Sequence, residues 1–332
     1  MHLPDGGARC LAKLVFNMRF DSNRCEHLAR EVVSKYHAGE VPQIDLSRAR
    51  FITLAGLSKL VALLYTIYDL RQRVPGPIPV LRPPLEKAPA EFIIRCGFFS
   101  LVAILAEEIF IGADDWAKVE TDYAARLDRL PRSSSYPAMR FRRVLEGGSE
   151  TSELAFEREM SGFLNEIRSV FPAALAHLGY DADEVRVFLA LNSEIYRNIF
   201  HHSEAWGYVA IQCDRLGMTI CYGDVGVGFR RSLESQRDRI VQTVRRPWND
   251  STAILGSFEE GVSSRSEGRP ISGMGLPTVR KMVMERYGVI ECRSGAGRGL
   301  FLGDGSQTGI TKMRDAEALI GAQISVFLPV RS

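Results

Sequence analysis

The sequence predicts an α/β protein built as two domains, and three observations lead there. The first hundred residues alternate short β-rich runs with amphipathic helical runs. The second half adds a hairpin signal and glycine-marked strand and helix ends. The length of 332 residues exceeds what one small domain of either kind requires, and an apolar content of 45% provides for buried cores.

In chain order, Leu11 to Met18 reads as a strand and Asn23 to His37 as a helix. Ile44-Asp45-Leu46 makes a short buried strand. Ala55 to Arg71 follows as a helix with Leu57, Leu60, Leu64 and Ile67 on one face. Pro75-Gly76-Pro77-Ile78-Pro79-Val80-Leu81 reads as a further strand behind a rigid turn. These elements define a first domain over 1–108. Residues 109–152, with the breaker cluster Pro131 to Pro137, read as a linker or partner-facing insertion. From Glu153 the apolar residues Phe156, Met160, Phe163, Ile167 and Val170 recur at helical spacing, and Pro172 is expected to end or kink that helix. It packs on the following domain or mediates dimerisation. The second domain is placed at 153–332.

Three segments of that domain fit one nucleotide pocket. In the first, Phe188, Leu191, Ile195 and Ile199 form a buried helical stripe, while Glu194, Asn198 and His202 lie one turn apart on a neighbouring face. A carboxylate and a carboxamide so placed suit a hydrated cation and a nucleophile: Mg²⁺ takes oxygen ligands and retains waters, and Glu194 can orient or deprotonate an attacking hydroxyl. In the second, the β-rich runs Tyr208 to Cys213 and Gly217 to Asp224 flank an Asp-Arg-Leu-Gly turn, delivering Asp224 to a strand end. There a carboxylate accepts from an exocyclic amine, and Gly226 and Gly228 permit close backbone approach. The third, Gly273-Met274-Gly275, precedes Leu276, Val279, Met282 and Val283 at helical spacing, with Gly288 as a stop. Backbone amides at that helix start favour a phosphate. Alone, each segment has an ordinary alternative in a solvated helix face, an Asp-Gly turn or a loop-to-helix junction.

The order of the three segments carries more weight than any one. Residues from roughly 185 to 330, a little under half of the chain, resemble a GHKL-type ATP-binding domain, the Bergerat fold of histidine kinases, anti-sigma-factor kinases and gyrase. Glu194, Asn198 and His202 match its N-box, Asp224, Gly226 and Gly228 its Asp-x-Gly-x-Gly box, and Gly273, Gly275 and Leu276 its Gly-x-Gly-Leu box. The resemblance implies ATP and Mg²⁺ as cofactors, with Mg²⁺ on Asn198, adenine on Asp224 and phosphates over Gly273, Met274 and Gly275. It further implies an α/β sandwich with helices on one face of a mixed sheet, and an ATP lid at about 229–272, here rich in arginine. Where the family often closes with Gly-Thr near the adenine, this chain has Gly321-Ala322. The stretch between Gly299 and Gly321 is expected to be a surface excursion between strands.

The first domain resembles a STAS domain, the fold of anti-sigma-factor antagonists, through Ile44-Asp45-Leu46, Phe51 to Leu57 and Ile94 to Phe98. Thr53-Leu54 stands where antagonists usually carry Asp-Ser, so the domain is read as a docking module without the usual phosphoacceptor. Together the two resemblances imply a partner-switching ATPase or Ser/Thr kinase acting on an unidentified protein partner, or a nucleotide-driven conformational switch. Classical histidine autokinase activity does not fit, since the helix before the N-box offers only His177.

Composition narrows the rest. A net charge of +2 without basic blocks argues against a general nucleic-acid binder. No apolar run approaches the ~20 residues of a membrane span. The six cysteines show neither zinc nor disulfide spacing, so a reducing cytoplasm is expected.

Overall fold

The computed structural model describes residues 13–15, 18–105, 116, 118–122, 125, 138–144, 150–202, 205–262 and 275–330. The chain is mixed α/β and divides into two compact units, residues 1–126 and 127–332.

The first unit carries two small parallel sheets. One has the order β1-β3-β5, from β1 (Lys13–Val15), β3 (Gln43–Asp45) and β5 (Val80–Arg82); the other pairs β2 (Met18–Phe20) with β4 (Ala49–Ile52). Helices α1 (Ser22–His37) and α2 (Leu54–Arg73) connect these strands, as parallel pairing demands. Each starts at a polar cap: Asp21 accepts from the Arg24 amide and Thr53 from the Gly56 amide. Leu57, Leu60, Leu64 and Ile67 are all fully buried along α2. Lys59, also on α2 and 2% exposed, is neutralised by Glu26 of α1. Helices α3 (Lys87–Cys96) and α4 (Phe98–Leu105) follow. The left-handed Gly97 ends α3, and the buried Glu120 carboxylate accepts from the first-turn amides of Phe99 and Ser100 in α4.

The second unit is built on a five-stranded sheet of order β6-β7-β8-β10-β9, from β6 (Ala138–Val144), β7 (Gly207–Asp214), β8 (Gly217–Asp224), β9 (Val289–Leu302) and β10 (Ile310–Pro329). All four ladders are antiparallel, not mixed as expected, because β7-β8 and β9-β10 are hairpins and β10 returns beside β8. Ala138–Val144, expected in a linker, is the edge strand. Its arginines and the register shift between Met139 and Arg142 hide the alternation, and Phe141 packs edge-on to Tyr208.

Helices α6 (Ala182–His202) and α10 (Gly275–Glu285) lie against one face of this sheet, and α5 (Glu150–His177) packs on α6. Period-two alternation sends Met218, Ile220 and Tyr222 of β8 and Ile324, Val326 and Leu328 of β10 into the shared core. Helix α5 runs through Pro172 instead of ending there. The apolar stripe includes Phe171 just before it and continues past it with Ala174 and Leu175, and that burial offsets the one backbone bond proline removes. The stretch after Gly299 is no loose excursion but the outer half of the β9-β10 hairpin, with bulges around Leu319. Its tip folds back on the end of α10, where Gly303 and Gly305 donate to the Gly288 and Met284 carbonyls.

Between β8 and β9 lie α7 (Gly228–Ser232), a 3-10 turn (Glu234–Gln236), α8 (Arg237–Val244) and α9 (Asp250–Ser257), the last capped by Asn249, which accepts from the Thr252 amide. Leu233, Ile240 and Val262 form a small core of their own, and Ile254 and Phe258 join the main one. The span expected as a mobile lid is thus folded as far as Val262. Residues 263–274, including Arg265 and Arg269, lie outside the described set.

Candidate functional site

Helix α6 begins with a reciprocal cap. Asp181 accepts from the Asp183 and Glu184 amides, and Glu184 accepts from the Asp181 amide. Glu184, only 8% exposed, also receives the Arg286 guanidinium from just beyond α10, which joins the start of α6 to the end of α10. With Phe188, Ile195 and Ile199 in the core, Glu194 and Asn198 are left half-buried on a face turned away from it. His202 closes the same helix; its side chain lies outside the described set.

The other end of α10 meets this face. A β-carbon on Gly275 would stand 2.3 Å from Cγ of Glu194 and 3.2 Å from Oε1. Only a residue without a side chain lets the Glu194 stem lie against the first turn of α10. Two of the three sequence-predicted segments are therefore in contact. Leu276, the next residue, is buried in the core, while Gly273 and Met274 fall outside the described residues.

The remaining segment, that of Asp224, lies at the end of β8. Asp224 pairs with Gly207 at the last position of the β7-β8 ladder and is 9% exposed. Its Oδ1 accepts from the Gly226 amide at 2.9 Å and the Ala322 amide at 3.2 Å, leaving Oδ2 with no protein partner among the described residues. Burial pushes the carboxyl up to about 6, against the opposing pull of those two amides. Gly321 adopts φ +72°, and a β-carbon there would fall 1.9 Å from the Asp224 carbonyl oxygen. The pair Gly321-Ala322 thus serves Asp224 through its backbone, where no hydroxyl is needed. Gly228, at φ +70°, sits 2.6 Å from Ser294 Oγ by the same measure, and that hydroxyl accepts from the Phe229 amide. Gly226 contributes its amide to Asp224 rather than an open turn.

Asn192 and Tyr222 are additional elements of the site's frame. Tyr222 Oη donates to Asn192 Oδ1, while Asn192 Nδ2 donates to the Phe188 carbonyl at 2.7 Å. The signal for Asn192 was present as a lone amide on the apolar stripe, three residues before Ile195. Gly321-Ala322 stands where the sequence comparison set it, but its backbone role, like the roles of Ser294 and Arg286, acts through contacts distant in sequence.

Among the described residues no cluster of three His, Cys, Asp or Glu side chains could hold a metal. A cation at the Glu194 and Asn198 face would therefore draw most of its oxygen ligands from a bound anion and water, which suits Mg²⁺. The arginines 230, 231, 237, 245 and 246 are exposed, and Arg239 is committed to the carbonyls of Glu260 and Gly261. A separate cavity of ≈ 360 Å³, lined in part by Arg239, Thr243, Pro277, Arg280 and Lys281, opens on the side of α10 away from Gly275 and includes none of Glu194, Asn198 or Asp224. Comparisons of the chain with protein-family models and with curated proteins return no match.

Proposed function

We propose that residues 127–332 are a GHKL-type ATP-binding domain of Bergerat fold, that residues 1–126 are a STAS-like docking module, and that the chain is a partner-switching regulator resembling anti-sigma-factor kinases. The observation that carries this is the seating of Gly275 directly on Glu194, which joins two segments about 80 residues apart that were singled out for one pocket on sequence grounds alone. The unpartnered Oδ2 of buried Asp224 supports it independently, because it is an acceptor shaped for a donor such as the adenine amine.

In this reading Asp224 and the backbone around Gly226, Gly228 and Gly321 hold the base. The amides leading into Gly275 and Leu276 receive the phosphates at the start of α10. Asn198 supplies an oxygen to Mg²⁺, which when bound neutralises phosphate charge. Glu194 orients the attacking hydroxyl or water and accepts its proton. The first unit presents a surface to a protein partner, and Thr53, whose hydroxyl oxygen caps α2, serves the helix start.

The alternative is a switch that hydrolyses ATP and changes a dimer or partner surface without transferring phosphate. Incubation with γ-labelled ATP and Mg²⁺ separates the two. A kinase puts label on the protein or an added partner and a switch releases free phosphate, and Glu194→Ala lowers either signal at least ~100-fold while sparing nucleotide binding. Full activity in that variant would remove Glu194 from the chemistry.

A further inference from the structure

Asn192 and Tyr222 are 1% and 2% exposed, inside a cluster whose other members are almost all apolar. A polar pair there adds direction rather than burial, because apolar side chains tolerate sliding and rotation while a hydrogen bond between two specific atoms does not. Each partner stands two residues from a carboxylate of the candidate site: Asn192 from Glu194 on α6, Tyr222 from Asp224 on β8. At 100° per residue, Asn192 and Glu194 leave the helix about 200° apart, with Asn198 about 40° beyond Glu194. Fixing Asn192 against the sheet therefore fixes the roll of the helix.

We propose that the Asn192–Tyr222 pair is a positioning device that sets the roll of α6 and thereby places Asn198 and Glu194 relative to Asp224; this rests on the nucleotide-site reading above. Side-chain ends ride roughly 6 Å from a helix axis, so a roll of about 10° moves them by about 1 Å. Oxygen ligation of Mg²⁺ at about 2.1 Å does not tolerate such a displacement. The base-binding contacts sit on β8 and β10 and do not move with the roll. The Asn192 amide already bonds the Phe188 carbonyl of its own helix, so Oδ1 is the atom through which the sheet addresses the helix. The Glu184–Arg286 pair ties the start of α6 toward α10, and Tyr180, just ahead of that start, donates to the Pro329 carbonyl of β10, while Tyr222 bonds the sheet to the middle of the helix beside Glu194.

The test is ATP affinity of the full chain with and without Mg²⁺, for wild type, Tyr222→Phe and the double variant Asn192→Leu/Tyr222→Phe, alongside thermal unfolding of each. The expected result for Tyr222→Phe is a metal-free Kd within about threefold of wild type and a magnesium-dependent gain in affinity reduced about fivefold or more. The double variant, with no polar group left unsatisfied, recovers the unfolding midpoint but not the gain. A gain that survives Tyr222→Phe, or that returns together with the midpoint in the double variant, would show the pair to be a stability element only. Wild type that binds ATP with no magnesium-dependent gain also overturns the proposal. Wild type that binds no ATP at all removes the nucleotide site itself.

Discussion

Asp224 is held where ionisation is disfavoured, and the direction of that shift has a measurable consequence. Its carboxyl is raised from 3.8 to about 6, so the folded state binds the proton more tightly than the unfolded chain. Its contribution to stability is full below about pH 4 and is lost as pH rises through about 6, a difference on the order of 3 kcal/mol. Asp224→Asn keeps an oxygen for the Gly226 and Ala322 amides and removes the titration. Denaturant unfolding between about pH 4 and 7 is expected to show wild type losing stability relative to the variant across that window; parallel curves would contradict the burial argument. A largely buried carboxyl raised above its usual range, with Oδ1 bonded and Oδ2 without a protein partner among the described residues, is the kind of group that functional sites carry. Glycine at 275, 228 and 321 reflects the same priority, since each keeps a backbone within reach of a site residue where a methyl group would collide.

At the scale of elements, α6 is the hub, tied to α10 at its start by Glu184–Arg286 and again where Gly275 meets Glu194. The ion pair is 9% and 16% exposed by side chain and links positions 102 residues apart. Arg286→Met leaves the Glu184 charge buried without its partner, and a loss of about 3 kcal/mol in urea unfolding is expected. A change below about 0.5 kcal/mol would show that the Asp181 cap alone holds this end. Elements governed by local pattern were legible in the sequence: α1, α2, α6, α10 and the β7-β8 hairpin all follow from periodicity and turn residues. Elements governed by distant partners were not. The edge strand β6 has one buried aromatic and a bulge, so its period is hidden. Pro172 is tolerated because of what α5 packs against. The outer β9-β10 hairpin contains glycines that read as loop but pack on Met284 and Tyr287. The site divides the same way: Glu194, Asn198, Asp224, the helix-start glycine and the Gly321-Ala322 pair were visible, while the Ala322 amide bond to Asp224 and the roles of Ser294 and Tyr222 required the sheet to be assembled first.

At the scale of the molecule, two α/β units share one chain, each with its own buried residues, and no helix among the described residues is long and apolar enough to cross a membrane. Such a division suits a module that reads nucleotide joined to a module that meets a protein. In the proposed function the second unit binds adenine nucleotide through Asp224. Calorimetric titration of ATP and Mg²⁺ into the full chain near neutral pH, for wild type and Asp224→Asn, tests it most directly. Wild type is expected to bind saturably at one site, and the variant, still folded by circular dichroism, at least about tenfold more weakly. No binding in wild type, or equal affinity in both, would contradict it.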